Sequence, residues 1–171
     1  MRITITKGER EDEIEAVRAD GSSVRTSFPH KGPIPHDAVH FYVESSLSIR
    51  DGFWGMIAAG RHPEEVQEIA KAGGHASAKR GTVPQTSIVR LVQAERVVEC
   101  FEADLWSGSC TSADTIRDAV AAGCAQSSVP QIEISDDAIA AIQSKLRDLA
   151  KQWPQTAQGE RLVLDWVGAT A

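Results

Sequence analysis

The stretch "FPHKGPIPHDAVHFYVE", Phe28–Glu44, marks the point where the sequence changes from one periodicity to another. Before it, apolar residues alternate with polar ones, which is typical of half-buried β-strands. After it, apolar residues recur at steps of three and four, which is typical of amphipathic helices. The prolines and the glycine between the two patterns predict an extended connector. Pro35 suits the first turn of a helix, where a missing N–H costs nothing, so we expect a helix over 36–48.

The segment before this connector predicts a β-meander. "RITIT", residues 2–6, and "EIEAVRA", residues 13–19, are the first two strand candidates. Asp20-Gly21 then predicts a type I′ hairpin turn, because both residue types tolerate positive φ. "SSVRTSF", residues 22–28, completes the meander as a third strand with alternating apolar positions.

The segment after the connector carries helical patterns and ends in one more strand. We expect the helices at about 36–48, 52–60, 63–72, 84–106, 113–123 and 136–153. "GERLVLDW", residues 159–166, alternates again, and it must join the meander because a lone strand cannot satisfy its backbone groups. The order predicts an α+β fold, in which an antiparallel meander and the C-terminal strand form one sheet with five to six helices packed on it. The length of 171 residues fits a single domain, 1–171.

Charge and cysteine usage restrict the classes of partner. The net charge of -6 argues against nucleic acid and against an anionic membrane surface, since both require cationic protein surface. No apolar run reaches transmembrane length, and the alternating N-terminus does not resemble a signal peptide. The three cysteines are odd in number and lack CxxC spacing, which favours reduced thiols. We therefore expect a cytoplasmic protein.

The first predicted helix contains the motif that indicates chemistry, "HDAVH", His36–His40. On a helical wheel both histidines share one face with Val39 and Val43, so both are predicted to point toward the core. Imidazoles four residues apart are near neighbours and can share one ion. The motif resembles the zincin motif HExxH over these five residues, with Asp37 in place of the glutamate. The resemblance implies zinc or another divalent metal held by the two histidines, with the adjacent acid as general base.

These residues give the first of two hypotheses about function. In a small metal-dependent hydrolase, His36 and His40 are metal ligands, and Asp37 or Glu44 handles protons. A third ligand is then required, and three histidines outside the motif are the candidates. They are His30, His62 and His75.

The second hypothesis is a non-enzymatic binding or assembly domain without metal, such as a homodimer. In that case His40 is a core histidine that bonds a backbone carbonyl or pairs with Glu44 at i+4. Asp37 is then explained by its place near the positive end of the helix dipole. The sequence names no substrate, and a small-molecule or peptide ligand fits either hypothesis.

Two other segments carry weaker indications. "GGHASAKRG", residues 73–81, could cradle an anion through backbone N–H groups, although it lacks the order of a P-loop. Cys110 could act as a nucleophile if a histidine lies beside it. A solvated loop and a packed or surface thiol are the ordinary explanations of these two features.

Overall fold

The computed structural model describes residues 1–72, 84–108 and 111–167, and it contains one antiparallel sheet. Its strands are β1 (Arg2–Thr6), β2 (Glu11–Val17), β3 (Ser23–Pro29) and β4 (Arg161–Asp165), in the order β3-β2-β1-β4. Strand β4 pairs with β1 along its whole length, with Leu164 opposite Ile3. This confirms the predicted meander and its completion by the C-terminal strand.

The turn between β2 and β3 differs from the predicted type. The N–H of Arg18 donates to the carbonyl of Ser22 at 2.8 Å, so this pair closes the hairpin. Gly21 has a φ of 85°, but Asp20 does not have a positive φ. A type I′ turn needs positive φ at both central residues, so the predicted type is wrong, and the loop is a three-residue turn ending in a left-handed glycine. The Asp20 carboxylate favours this geometry by accepting the N–H of Ser22 at 2.9 Å.

Six α-helices occupy the described residues between the third and fourth strands, as predicted. They are α1 (His36–Ser46), α2 (Phe53–Ala58), α3 (Pro63–Ala70), α4 (Val89–Ser107), α5 (Ala113–Gln126) and α6 (Asp136–Gln152). None of the helices in the described ranges has the length and apolar character needed to cross a membrane.

Helix α5 ends later than its glycine predicts. Gly123 was expected to stop it, but the helix continues to Gln126. A Cβ built on Gly123 would lie 3.5 Å from the Cβ of Arg96, so this glycine lies where α5 packs against the side chain of α4. The left-handed residue that follows the helix is Ser128, with a φ of 54°. The helix therefore ends near the left-handed Ser128 and not at Gly123.

The core lies between the inner face of the sheet and the helices. Alternate residues of β1 and β2, such as Ile3 and Ile14, are buried, as the period of two requires. The apolar stripe of α6 is buried as well, and Ser135 caps this helix by accepting the N–H of Ala138 at 3.2 Å. The stripe consists of Ile139, Ile142, Leu146, Leu149 and Trp153.

Helix α4 is buried on several sides and carries charged side chains into the interior. It packs against α1, α5 and α6. Glu95 is 6% exposed and Glu102 is 9% exposed, although both are carboxylates. Buried carboxylates are rare unless they have partners, and both of these acids face histidines of α1.

Candidate metal centre

Helix α1 places its two histidines side by side on its inward face. Pro35 precedes the first turn with a φ of −61°, so its ring fixes the backbone at the point where the helix begins. The rings of His36 and His40 are 4.8 Å apart and meet edge to face. His40 is 2% exposed, whereas the His36 side chain retains 17%. The arrangement follows from the i, i+4 spacing.

Glu95 of α4 completes a group of three possible metal ligands. One ligand atom each from His36, His40 and Glu95 lie within 4.8 Å of one another. The Nε2 atom of His40 is 3.6 Å from Oε1 of Glu95. Within the described ranges no other three side chains of histidine, cysteine, aspartate or glutamate form such a group. Two histidines and a glutamate are a known ligand set of catalytic zinc sites.

The Nδ1 atom of each imidazole contacts a carboxylate other than Glu95. Nδ1 of His40 lies 2.9 Å from Oε1 of Glu44, and Nδ1 of His36 lies 2.7 Å from Oε1 of Glu102. When Nδ1–H donates to the carboxylate, the ring orientation is fixed and Nε2 is left as the atom available to a ligand. Histidines that bind metal ions in proteins are almost always oriented in this way.

Both carboxylate oxygens of Glu44 accept hydrogen bonds from neighbouring groups of the protein. Its Oε1 also accepts the N–H of Phe53 at 3.0 Å, and its Oε2 accepts the N–H of Trp54 at 3.0 Å. The chain can approach so closely only because residue 52 is glycine, since a Cβ on Gly52 would lie 2.5 Å from Oε2 of Glu44. The indole N–H of Trp54 donates to the carbonyl of Asp37 at 2.9 Å and so ties α2 back to the first turn of α1. Glu44 therefore links the orientation of His40 to the start of α2.

The charge of His40 is set by its two acidic neighbours. Burial by itself would lower the pKa of His40, but the charge of Glu95 and the hydrogen bond to Glu44 raise that pKa well above its usual value. The two carboxylates therefore favour the protonated ring in the metal-free protein, with Nε2 on the side that faces Glu95. A metal ion at Nε2 would require this ring to be neutral, as is general for histidine ligands.

A cavity of about 70 Å³, named here the site cavity, opens beside His36, His40 and Glu95. Asp37 lines it together with the ligands and is 7% exposed. Burial raises the pKa of the Asp37 carboxyl, against the opposing charges of His36 and His40. Two lysines stand in the wall, Lys31 from the connector and Lys71 after α3. Glu44 and Glu102 do not line this cavity.

Glu95, the third residue of the group, is not among the third-ligand candidates that the sequence offers. His30 lies 2.9 Å from Oδ1 of Asp12 through its Nε2 atom and does not line the site cavity. His62 is an exposed residue before α3, and it is not part of the cluster either. His75 lies outside the described residues, as do the glycine-rich segment at 73–81 and Cys110.

A signal for Glu95 exists in the sequence of α4. Glu95 and Glu102 lie on the same face of α4 as the apolar residues Leu91 and Val98. Positions 91, 95, 98 and 102 follow one another at steps of four, three and four, which is the spacing of one helix face. An acid inside the apolar stripe of a buried helix must find a partner, because an isolated buried carboxylate is very costly. Such interruptions of a stripe therefore indicate residues that face a polar group in the interior.

Comparison of the chain with family models, with curated proteins and with solved structures finds no match in any of the three. The function is accordingly argued from the chemistry of the site.

Proposed function

We propose that the chain is a metal-dependent hydrolase whose zinc or other divalent ion is held by His36, His40 and Glu95. One observation carries the proposal, the convergence of three ligand atoms within 4.8 Å at the wall of a cavity. The carboxylates on both Nδ1 atoms support it, because they orient the rings as metal ligands. Nitrogen and carboxylate donors together suit zinc among the common divalent ions.

Three protein ligands leave a coordination position for water or substrate. A bound zinc ion in such a position lowers the pKa of water to about 7 and polarises a carbonyl, which is the chemistry of hydrolysis. The protein's part is to fix the two imidazoles and to exclude bulk water around them, which the burial of His40 supports.

Asp37 is the residue proposed to move the proton. It follows His36 in the chain and lines the same cavity as the ligands. Its raised pKa brings the carboxyl closer to neutral pH, where a general base is most effective. Glu44 was the other candidate for this role, but its oxygens accept bonds from His40, Phe53 and Trp54. We assign Glu44 to positioning His40.

The proposal is tested by metal analysis and by zinc titration of the purified full-length protein, followed by hydrolysis of a p-nitrophenyl ester. We expect one zinc per chain in the wild type, and loss of that zinc in His40→Gln and in Glu95→Gln. Asp37→Asn should keep zinc and lose about 10²- to 10⁴-fold in hydrolysis, the usual contribution of a general base. His62→Gln is the matched control, because His62 is exposed and outside the cavity, and it should behave as the wild type.

Two results would contradict the proposal. One is a wild type that binds no divalent metal at all. The other is zinc binding that is equal in the wild type, in His40→Gln and in Glu95→Gln, which would place the ion elsewhere. A metal-free chain that self-associates reversibly would instead support the non-enzymatic assembly domain.

A further inference from the structure

A second cavity adjoins the site cavity and shares one wall with it. It encloses about 120 Å³, and Lys31, His36 and Asp37 line both cavities. Its remaining wall comes from Lys7 after β1, Asp12 of β2, the end of β3, the connector and the turn after α6. Most of these side chains are apolar, and the cavity is called the proline-lined cavity below. The apolar residues are Phe28, Pro29, Pro33, Ile34, Pro35, Trp153 and Pro154.

Most polar groups in the proline-lined cavity already have partners within the protein. The ammonium of Lys7 donates to the carbonyls of Trp153 at 2.6 Å and Thr156 at 2.7 Å. The Nε2 atom of His30 lies 2.9 Å from Oδ1 of Asp12. Outside the shared wall, the polar groups are therefore paired within the protein and the rest of the lining is apolar, which suits an apolar group on that side of the cavity. Its volume is close to that of engineered apolar cavities that hold a benzene ring, which measure about 150 Å³.

Lys31 is the cation that stands between the two cavities. It comes from the proline- and glycine-rich connector and is exposed. Its charge acts on the Asp37 carboxyl, but among the described residues its ammonium group has no hydrogen-bond acceptor. Lys71 lines only the site cavity of the two, and its Nζ atom is 2.8 Å from Oε1 of Glu68. The two lysines therefore differ in their readiness to bind an anion.

We infer that the substrate is a small ester or amide that carries a carboxylate and an apolar group of about the size of a benzene ring. The apolar group occupies the proline-lined cavity, and the carboxylate pairs with Lys31. The scissile bond then lies across the shared wall, next to Asp37 in the site cavity. The charge of Lys31 and the apolar wall are the two features that select this class. This inference rests on the proposed hydrolase function for the position of the scissile bond.

The test is a titration of the metal-free, full-length protein with benzoate and with benzyl alcohol. Binding is monitored by NMR through the indole N–H resonance of Trp153. We expect both probes to bind and to shift this resonance. Lys31→Met keeps the stem of the side chain and removes the charge, so it should weaken benzoate about three- to fivefold and leave benzyl alcohol unchanged. Lys145→Met is the matched control, because Lys145 is exposed and lines neither cavity, and it should leave both probes unchanged.

The inference is overturned if benzoate shows no saturable binding, or if Lys31→Met binds benzoate as tightly as the wild type does. Because the measurement needs no metal, it also separates the two proposals. Benzoate binding by a protein that takes up no zinc would leave the cavity assignment standing and refute the hydrolase. Zinc binding without benzoate binding would refute this substrate class alone.

Discussion

His40 and Glu44 form a buried pair one helical turn apart, with Nδ1 of the imidazole 2.9 Å from Oε1 of the carboxylate. Their side chains are 2% and 0% exposed, so neither group is solvated by water. Such a pair is costly to bury and severely destabilising to break, because removing one partner leaves the other charge uncompensated. The pair therefore connects the stability of the fold with the orientation of a proposed metal ligand.

Glu44→Gln tests this connection. A glutamine side chain has only one acceptor oxygen, whereas both oxygens of Glu44 accept. The variant therefore loses some of the hydrogen bonds that Glu44 accepts from His40, Phe53 and Trp54. We expect the zinc affinity to fall about 10- to 100-fold, the usual effect of removing an outer partner of a metal-binding histidine. The free energy of unfolding of the metal-free protein should fall by about 3–5 kcal/mol. Titration calorimetry and urea denaturation measure the two effects.

The control for this variant is Glu68→Gln, which removes an exposed carboxylate from its pair with Lys71. Exposed pairs contribute less than about 1 kcal/mol, so this variant should retain both stability and zinc affinity. A Glu44→Gln protein with wild-type zinc affinity would show that Glu44 does not position His40.

Gly52→Ala tests the close approach of the chain to Glu44. Its Cβ would lie 2.5 Å from Oε2 of Glu44, so either α2 or the carboxylate must move. We expect the free energy of unfolding to fall by about 1–3 kcal/mol, as for other overpacked interiors. Gly123→Ala is the matched control, because its Cβ meets nothing closer than 3.5 Å and lies inside α5. That change should be neutral or stabilise by up to about 1 kcal/mol, and equal effects of the two variants would refute the steric argument.

Leu146→Ala tests the packing of α6. Leu146 is 1% exposed and lies in the middle of the buried stripe. Truncation should destabilise the fold by about 2–5 kcal/mol, the usual cost for a core leucine. Ser144→Ala, on the exposed side of the same helix, should change stability by less than about 0.5 kcal/mol. A denaturation midpoint for Leu146→Ala equal to that of the wild type would contradict the packing.

The raised pKa of Cys100 predicts that the folded protein loses stability at alkaline pH. Burial, together with the charge of Glu99, raises the pKa of this thiol from 9.0 to about 11. The folded protein therefore holds the thiol proton more tightly than the unfolded chain does, and stability falls as the pH rises from about 9 toward 11. Urea denaturation of the wild type and of Cys100→Ser at several pH values isolates this contribution as a difference. A difference that stays constant over this range would show that the thiol titrates as in the unfolded chain.

The sheet and α6 could be predicted because their signals are local. Alternation in "RITIT" and "RLVLD" follows from the two-residue period of a strand, and the stripe through Leu146 follows from the period of a helix. The hairpin type and the end of α5 were not predicted correctly. Both depend on which residue adopts positive φ. Gly21 does so without Asp20, and Ser128 does so after α5 in place of Gly123.

Half of the candidate site could be predicted in the same way. The shared face of His36 and His40 is a property of one helix, and the wheel places both toward the interior. Glu95 lies on another helix, 55 residues beyond His40 in the chain, and its proximity depends on how α4 packs against α1. No periodicity within either helix specifies that contact. The sequence shows only that Glu95 interrupts an apolar stripe.

Anomalous diffraction from zinc-loaded crystals at the zinc absorption edge tests the central claim most directly. The account predicts one peak between α1 and α4, at about 2.0–2.1 Å from Nε2 of His36 and from Nε2 of His40, with a carboxylate oxygen of Glu95 as the third protein ligand. Crystals with no peak at this position, or with zinc bound elsewhere while His40 stays paired with Glu44 and Glu95, would contradict it.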